Sequence, residues 1–393
     1  MITVMNHSVG LQDHPWYAAH ISETAAEFDI QCRAYQKSGM QTVFMEEAWN
    51  RRQEKNLLFL NFDDGYLDNW VHIMPILQHY GLKGTVYMTS DFIDPRDIIR
   101  AQFSREDSLK NDATHTAESC CAGFLSFPEM RKMEESGVME IQAHAKTHTW
   151  YIKGPGIIDY WKPGSAIQNN GPIWMLWNQY PEFKPYYLTE ASKMEQKIPY
   201  GSPIFENGKS LETVRFIPDQ TAVEDLTAAL TQAVEKNGGP QFFEQHNWKK
   251  LLDEITNSFG TIPGKQETED EYYARVREEL VTVKEVLEAN LHKKVQGICW
   301  PGGGVNTKVV DIAKNIEYKY FTLPSRWKRN SAPAGYEDLL GRVGTPRHII
   351  VKGRNLRPMK EADILWYLRS LKNDSAWGRQ LWKIRQILAL MGI

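Results

Sequence analysis

The chain opens as an alternation of short apolar runs with stretches whose apolar residues recur at helical spacing. Residues 2–6 form the first run. The pattern then predicts a helix capped by Ser22, with Phe28, Cys32 and Tyr35 at i, i+4 and i+7 and Gly39 as its stop. Strands are expected at 42–45 and 57–62, the second plainly a buried one. A helix with Trp70, Met74 and Leu77 on one face ends at Gly81, and 84–88 reads as the next strand. Ser126, Phe127, Pro128 and Glu129 form a capping box with proline in the first turn. That helix runs to Gly137 and leads into a strand at 139–143.

The rhythm breaks over 150–270. Residues 150–205 hold twelve aromatics punctuated by seven prolines, and helices are expected around 222–236 and 242–258. It returns with a long helix whose Val276, Leu280, Val283, Leu287 and Leu291 make one stripe, followed by strands at 295–299 and 318–323. Seven strands, most of them separated by a helix, predict a parallel α/β barrel with a large insertion, because parallel strands need crossover connections.

The composition fits a soluble globular chain: 393 residues, 42% hydrophobic, formal charge −3 and mean hydropathy −0.50. A near-neutral balance supplies no global attraction to nucleic acid, which is excluded as an expected partner. No run approaches the roughly 18 apolar residues of a membrane-spanning helix. The first residues lack the basic and apolar regions of a secretion signal, so a cytoplasmic location is expected. Cys32, Cys120, Cys121 and Cys299 form no metal-knuckle spacing and read as reduced thiols. The tail, 351–393, is different: nine Lys and Arg against three Asp and Glu, interleaved with Trp366, Trp377 and Trp382. It suits helices packed on the body, or an amphipathic element resting on an anionic membrane surface.

Three polar clusters each follow a strand directly. Asp63 and Asp64, within Asn61-Phe62-Asp63-Asp64-Gly65, would repel one another unless a cation neutralised one and left the other free to accept a proton. The alternative is a polar turn built on Gly65. His144 and His148, four residues apart, can bind one ion, and with the aspartates complete a His-His-Asp set with open positions. Trp300-Pro301-Gly302-Gly303-Gly304 exposes backbone N–H groups suited to a developing oxyanion, and does not match a dinucleotide-binding loop. His7, at the end of the first strand, would share their rim in a barrel. The remaining histidines have no partner at ligand spacing.

On these residues the chain resembles the NodB-type polysaccharide deacetylases, carbohydrate esterase family 4. Phe62-Asp63-Asp64-Gly65 matches the family's first motif and His144 with His148 the second, with Ala145 where Ser or Thr is usual. Trp300-Pro301-Gly302-Gly303 resembles the third, and Leu340-Gly341-Arg342-Val343 the late Leu-x-Arg-Ile segment. Val4-Met5-Asn6-His7 is similar to the leading element of the circularly permuted branch. The resemblance implies a distorted (β/α)7 barrel formed by 1–149 and 271–350, an aromatic-rich insertion at 150–270 and a C-terminal helical tail. It also implies hydrolysis of an N-acetyl group on a sugar, within the biosynthesis of a glycan that could be lipid-linked. Asp63 would then be the general base and His7 the general acid, with the Gly302 N–H at the oxyanion. Asp64, His144 and His148 would hold a divalent metal, Zn expected, with Ni, Co or Fe as alternatives.

The third motif departs from the family pattern: Cys299 stands nearest to the arginine that normally orients the base, and Gly302 replaces a tyrosine. Trp300 and Arg342 are expected to meet substrate. Trp161, Trp174, Trp177, Tyr186 and Tyr187 would either stack on sugar faces as a lid or build the insertion's own small core. Two further readings stay open: a deformylase or other C–N amide hydrolase of the same fold, and a catalytically weak glycan-binding protein. The tail could reach the inner face of a membrane.

Overall fold

Seven parallel strands carry the structure: β1 (Ile2–Asn6), β2 (Leu57–Asp64), β3 (Gly84–Met88), β4 (Met139–Ala143), β5 (Gly297–Ile298), β6 (Tyr320–Phe321) and β7 (Val343–Gly344). They lie in the order β6-β5-β4-β3-β2-β1-β7, every neighbouring pair parallel. The molecule is a computed structural model that describes residues 1–11, 20–114, 121–167, 172–323, 339–372 and 376–391. The segment leading into β7 brings the row round on itself. Leu340 bridges Thr322 just beyond β6, and three residues later Val343 pairs with Val4 of β1. Helices supply the crossovers: Ala25–Lys37 between β1 and β2, Met74–His79, Phe127–Ser136, Glu269–Leu291 and Thr307–Asn315 between the later strands. The expected α/β barrel is the observed fold class.

Period-two alternation along β2 separates two cores. Leu57 and Phe59 face the barrel interior with Met45, Tyr87, Cys299, Tyr320 and Leu340. Leu58, Leu60 and Phe62 face the surrounding helices with Phe28, Tyr35, Leu77 and Val86. Asp63 continues the interior series, and this register decides its role at the rim.

Several element boundaries differ from the sequence reading. Ser22 lies in a short strand, Ser22–Glu23, so Thr24 caps the first helix in a capping box with Glu27. The expected strand at 42–45 pairs with β2 only at Gln41–Thr42 and then turns into helix Met45–Asn50. The seventh barrel strand is instead β7, too short for any alternation to register. The helix expected at 242–258 is broken into Gly239–Glu244 and Trp248–Phe259.

The 150–270 region contains a long antiparallel pair, Trp150–Tyr160 with Pro203–Lys209, which no alternation in its Gly- and Pro-interrupted sequence announced. Helices Gln220–Lys236 and Trp248–Phe259 pack on it. Tyr160, Phe205, Leu226, Leu230, Val234, Phe242, Leu252 and Ile262 make a separate core there. The tail opens with a hairpin, His348–Val351 against Arg354–Pro358, before its two helices, Glu361–Lys372 and Ala376–Leu390. Buried Asp363 ties hairpin to helices, accepting from Arg357, Arg385 and the Lys360 N–H. Glu361 reaches Arg33 and Lys37 on the first helix. Among the described residues no helix is long and apolar enough to cross a membrane.

Candidate active site

Strand register brings the polar clusters to one end of the barrel. Asp63 and Asp64 pair in register with Tyr87 and Met88, Met88 with Ala143, and Ala143 with Ile298. The residues that follow, His144 after β4 and Cys299 after β5, therefore share the level of the aspartates. Asn6 pairs with Phe62, which puts His7 beside Asp63. All of these positions are the C-terminal ends of parallel strands, where a rigid scaffold positions loops that carry function.

Asp64 faces the two histidines. Its Oδ1 lies 3.1 Å from His144 Nε2 and 3.2 Å from His148 Nε2. The Tyr66 hydroxyl donates to Oδ2 at 2.9 Å. His144 Nδ1 is 2.9 Å from the Cys299 carbonyl oxygen, which directs Nε2 inward, the arrangement typical of a ligating imidazole. Burial pushes the Asp64 carboxyl up, but His148 and His144 outweigh it and hold the group well below the usual range.

Asp63 faces the other way, into the barrel. Arg342 Nη1 bonds both carboxylate oxygens, at 2.7 and 2.8 Å, and its Nε donates to the Leu323 carbonyl. Cys299 Sγ lies 3.5 Å from each oxygen. Burial raises this thiol well above its ordinary value, so it stays protonated and donates to the carboxylate. Burial likewise pushes Asp63 up, but Arg342, then His144 and His7, bring it below the ordinary value. His7 Nε2 sits 3.9 Å from Asp63 Oδ2, beyond hydrogen-bond reach. Burial lowers its pKa, and Asp63 and Asp64 pull it back only in part.

The fit of a cation rests on this donor set. Asp64, His144 and His148 each offer a ligand atom, all within 4.8 Å of one another, and each residue is buried. The buried Asp64 Oδ1 accepts no hydrogen bond of good geometry, so the two imidazoles approach an oxygen that is otherwise unserved. Two imidazoles and a carboxylate suit Zn²⁺ and related divalent ions.

The backbone is strained where these residues sit. Asp64, Ala145 and His148 have positive φ, at 76°, 59° and 46°, a conformation that non-glycine residues hold only when their surroundings enforce it. Gly65, at φ +74°, holds a conformation that favours glycine, and a Cβ there would lie 2.0 Å from Met88 Sδ, so Met88 would have to shift. Gly302, at φ +55°, lies in the turn after β5, under Lys209 of the insertion.

Of the four residues expected to meet substrate, three are placed otherwise. Trp300 is 1% exposed, stacked on Phe321 and bonded through its indole N–H to the Thr322 carbonyl; it is a wall of the barrel. Arg342 is buried on Asp63 and has become the brace for which sequence offered only Cys299. Trp177 is 4% exposed and packs edge-on against His148, Phe92 and Tyr187, so it supports the His148 ring. Trp174 lies in helix Pro172–Gln179, its side chain outside the described residues. Of the remaining lid candidates, Trp161 and Tyr187 are fully buried and Tyr186 is half-buried.

Two bracing residues escaped the sequence reading. Glu279 accepts from both the N–H and the hydroxyl of Thr147, which lies between His144 and His148. Lys184, buried, donates to the Thr147 carbonyl and to Asp91. Glu279 could have been noticed as an acid inside the apolar stripe of Val276, Leu280 and Val283; Lys184 carried no comparable signal.

Fold and site together define a parallel α/β barrel with a carboxylate–imidazole centre on its C-terminal rim. The chain belongs to the polysaccharide deacetylase family, whose model matches residues 50–170 and 245–321, half of its length; the NodB-type resemblance of the motifs holds. YxkH of Bacillus subtilis (strain 168), a polysaccharide deacetylase by name, is 28% identical over 94 residues, which are 23% of this chain and 32% of that protein. The match thus spans about a third of that relative's length. Among solved structures, a de-N-acetylase from Aggregatibacter actinomycetemcomitans is 13% identical, with TM-score 0.48, over 87% of this chain and 93% of that one. The Streptococcus pyogenes deacetylase PplD, solved with acetate, is 13% identical with TM-score 0.45 over 88% and 91%.

Proposed function

We propose that the protein removes the acetyl group from an N-acetylated sugar of a glycan, by hydrolysis assisted by one divalent cation. The observation that carries this reading is the division of labour between adjacent carboxylates: Asp64 faces two imidazoles, while Asp63 is turned away onto Arg342. A cation held by Asp64, His144 and His148 would polarise the amide carbonyl and acidify a water molecule. Asp63, kept ionised by Arg342, takes the proton from that water as its oxygen attacks the carbonyl carbon. The Gly302 N–H is assigned to the oxygen that gains charge in this step. His7 then gives a proton to the sugar nitrogen, the C–N bond breaks, and acetate and a free amine leave.

The insertion, 150–270, is assigned a bracing role toward the histidine loop, through Lys184 and Trp177, rather than a stacking role toward sugar. Incubation with N-acetylhexosamine oligosaccharides, sugar nucleotides and lipid-linked glycans tests the function. Acetate release matched by new primary amines, absent in Asp63→Asn, is the expected result. Wild type and Asp63→Asn behaving alike on every substrate would favour a glycan-binding protein. Release of formate in place of acetate would point to the deformylase.

A further inference from the structure

The last helix, Ala376–Leu390, leaves a stripe of large apolar side chains open. Trp377 is 63% exposed, Ile384 40%, Ile387 56% and Leu390 55%, and Met391 just beyond is 67% exposed. Their spacing keeps them on one side of the helix. Arg385 and Ala389, on the opposite side, are buried. The neighbouring hairpin is bonded to this helix through Gln386, whose side chain donates to the Ile350 carbonyl, and it adds Ile350 and Leu356, exposed by 45% and 40%. Seven of the fourteen exposed large apolar side chains of the described residues thus lie between 350 and 391; the rest are scattered. Lys352, Arg354 and Lys383 are exposed around them, in a tail with nine basic and three acidic residues. One of those acids, Asp363, is buried in ion pairs.

We propose that this hairpin-and-helix face docks on an anionic lipid bilayer. An apolar stripe containing tryptophan and ringed by cations is the composition that settles at the headgroup boundary of such a surface. A second copy is the poorer occupant. Symmetric pairing would set one basic tail against another, and among the described residues the acidic body presents no comparable cluster of exposed apolar side chains to receive it.

The same hairpin walls a cleft of about 380 Å³ that reaches His7, with Arg347, His348, Ile350, Asn355 and Tyr367 along it. Docking would hold this cleft at headgroup level, so the preferred substrate is a glycan carried on a membrane lipid. That consequence rests on the deacetylase reading; the docking does not.

The full chain is sedimented with vesicles of phosphatidylcholine alone and of phosphatidylcholine mixed with phosphatidylglycerol. Binding to the mixed vesicles, weak binding to the neutral ones, and release by salt are expected of the wild type. A Trp377→Ser, Ile384→Ser, Ile387→Ser variant should bind about tenfold or more weakly, with unchanged circular dichroism and unchanged acetate release from a soluble substrate. Equal binding by wild type and variant, or no wild-type binding to the mixed vesicles, overturns the proposal. So does salt-insensitive binding to both vesicle types, a measurement on the wild type that needs no variant. A wild-type dimer that the variant converts to monomer, without vesicle binding, assigns the face to a second copy instead.

Discussion

The barrel rim and the insertion beside it are both packed with residues that sequence reading marks as chemical, and they use burial to opposite ends. At the rim, burial falls on charges: Asp63, Asp64, His144 and Arg342 are all less than 10% exposed. In the insertion, burial falls on rings: Trp161, Trp177, Tyr160 and Tyr187 are at most 4% exposed. A buried charge is costly unless partners compensate it, so a cluster of them is retained where it serves a purpose. A buried ring needs no such purpose, because filling a core is sufficient reason for it. Residue type alone therefore left the insertion's aromatics open between sugar platform and core, whereas at the rim it singled out charges that the fold brings together.

The sharpest break of this contrast comes at the base. Asp63→Asn keeps the shape of the side chain and removes its basicity, so acetate release should fall by about 10²–10⁴-fold while bound metal is retained. Loss of bound metal from this variant would make Asp63 the ligand and invert the roles of Asp63 and Asp64.

Arg342→Ala leaves Asp63 buried without its main counter-charge. A stability loss of about 3–5 kcal/mol is expected in denaturant titration, and Arg342→Lys should keep the fold while losing the bonds to both Asp63 oxygens. An unchanged midpoint for Arg342→Ala would mean that Cys299 suffices as the brace.

On the insertion side, Trp177→Ala should cost about 3–5 kcal/mol as a core cavity and weaken metal retention through His148. Trp177→Phe should recover most of both. A raised KM with unaltered stability would return Trp177 to the role of sugar platform. Glu279→Gln, acting through Thr147, should lower metal affinity about 10–100-fold, read by competition with a chelator.

The smallest expected effect is in the pH profile. Asp63 is held below its ordinary pKa, so the base stays ionised to lower pH; His7 is also lowered, so the acid loses its proton sooner as pH rises. Both limbs of kcat/KM should thus lie on the acid side of those for ordinary aspartate and histidine, about 3.9 and 6.5. Arg342→Gln should move the acid limb upward.

Much of this site was legible because each motif follows an apolar run directly. Leu57 through Phe62 announced β2, and a parallel barrel puts whatever follows such a run on the functional rim. The two roles of Asp63 and Asp64 were not legible from the pair itself. They emerge from the inward alternation of Leu57, Phe59 and Asp63 and from the positive φ of Asp64, which only three-dimensional register supplies. Arg342 was readable as a motif residue but not as the brace, because it approaches Asp63 from the segment just before β7, 279 residues away in sequence. Likewise β7 and the Trp150–Tyr160 pair were hidden, the first by brevity and the second by its interrupting Gly154, Pro155 and Gly156.

Metal content, measured by elemental mass spectrometry on purified wild type, Asp63→Asn, Asp64→Asn and His148→Ala, probes the division between the two aspartates most directly. About one divalent ion per chain should remain in the wild type and in Asp63→Asn, and be largely lost in the other two. Retention in Asp64→Asn together with loss in Asp63→Asn would contradict it.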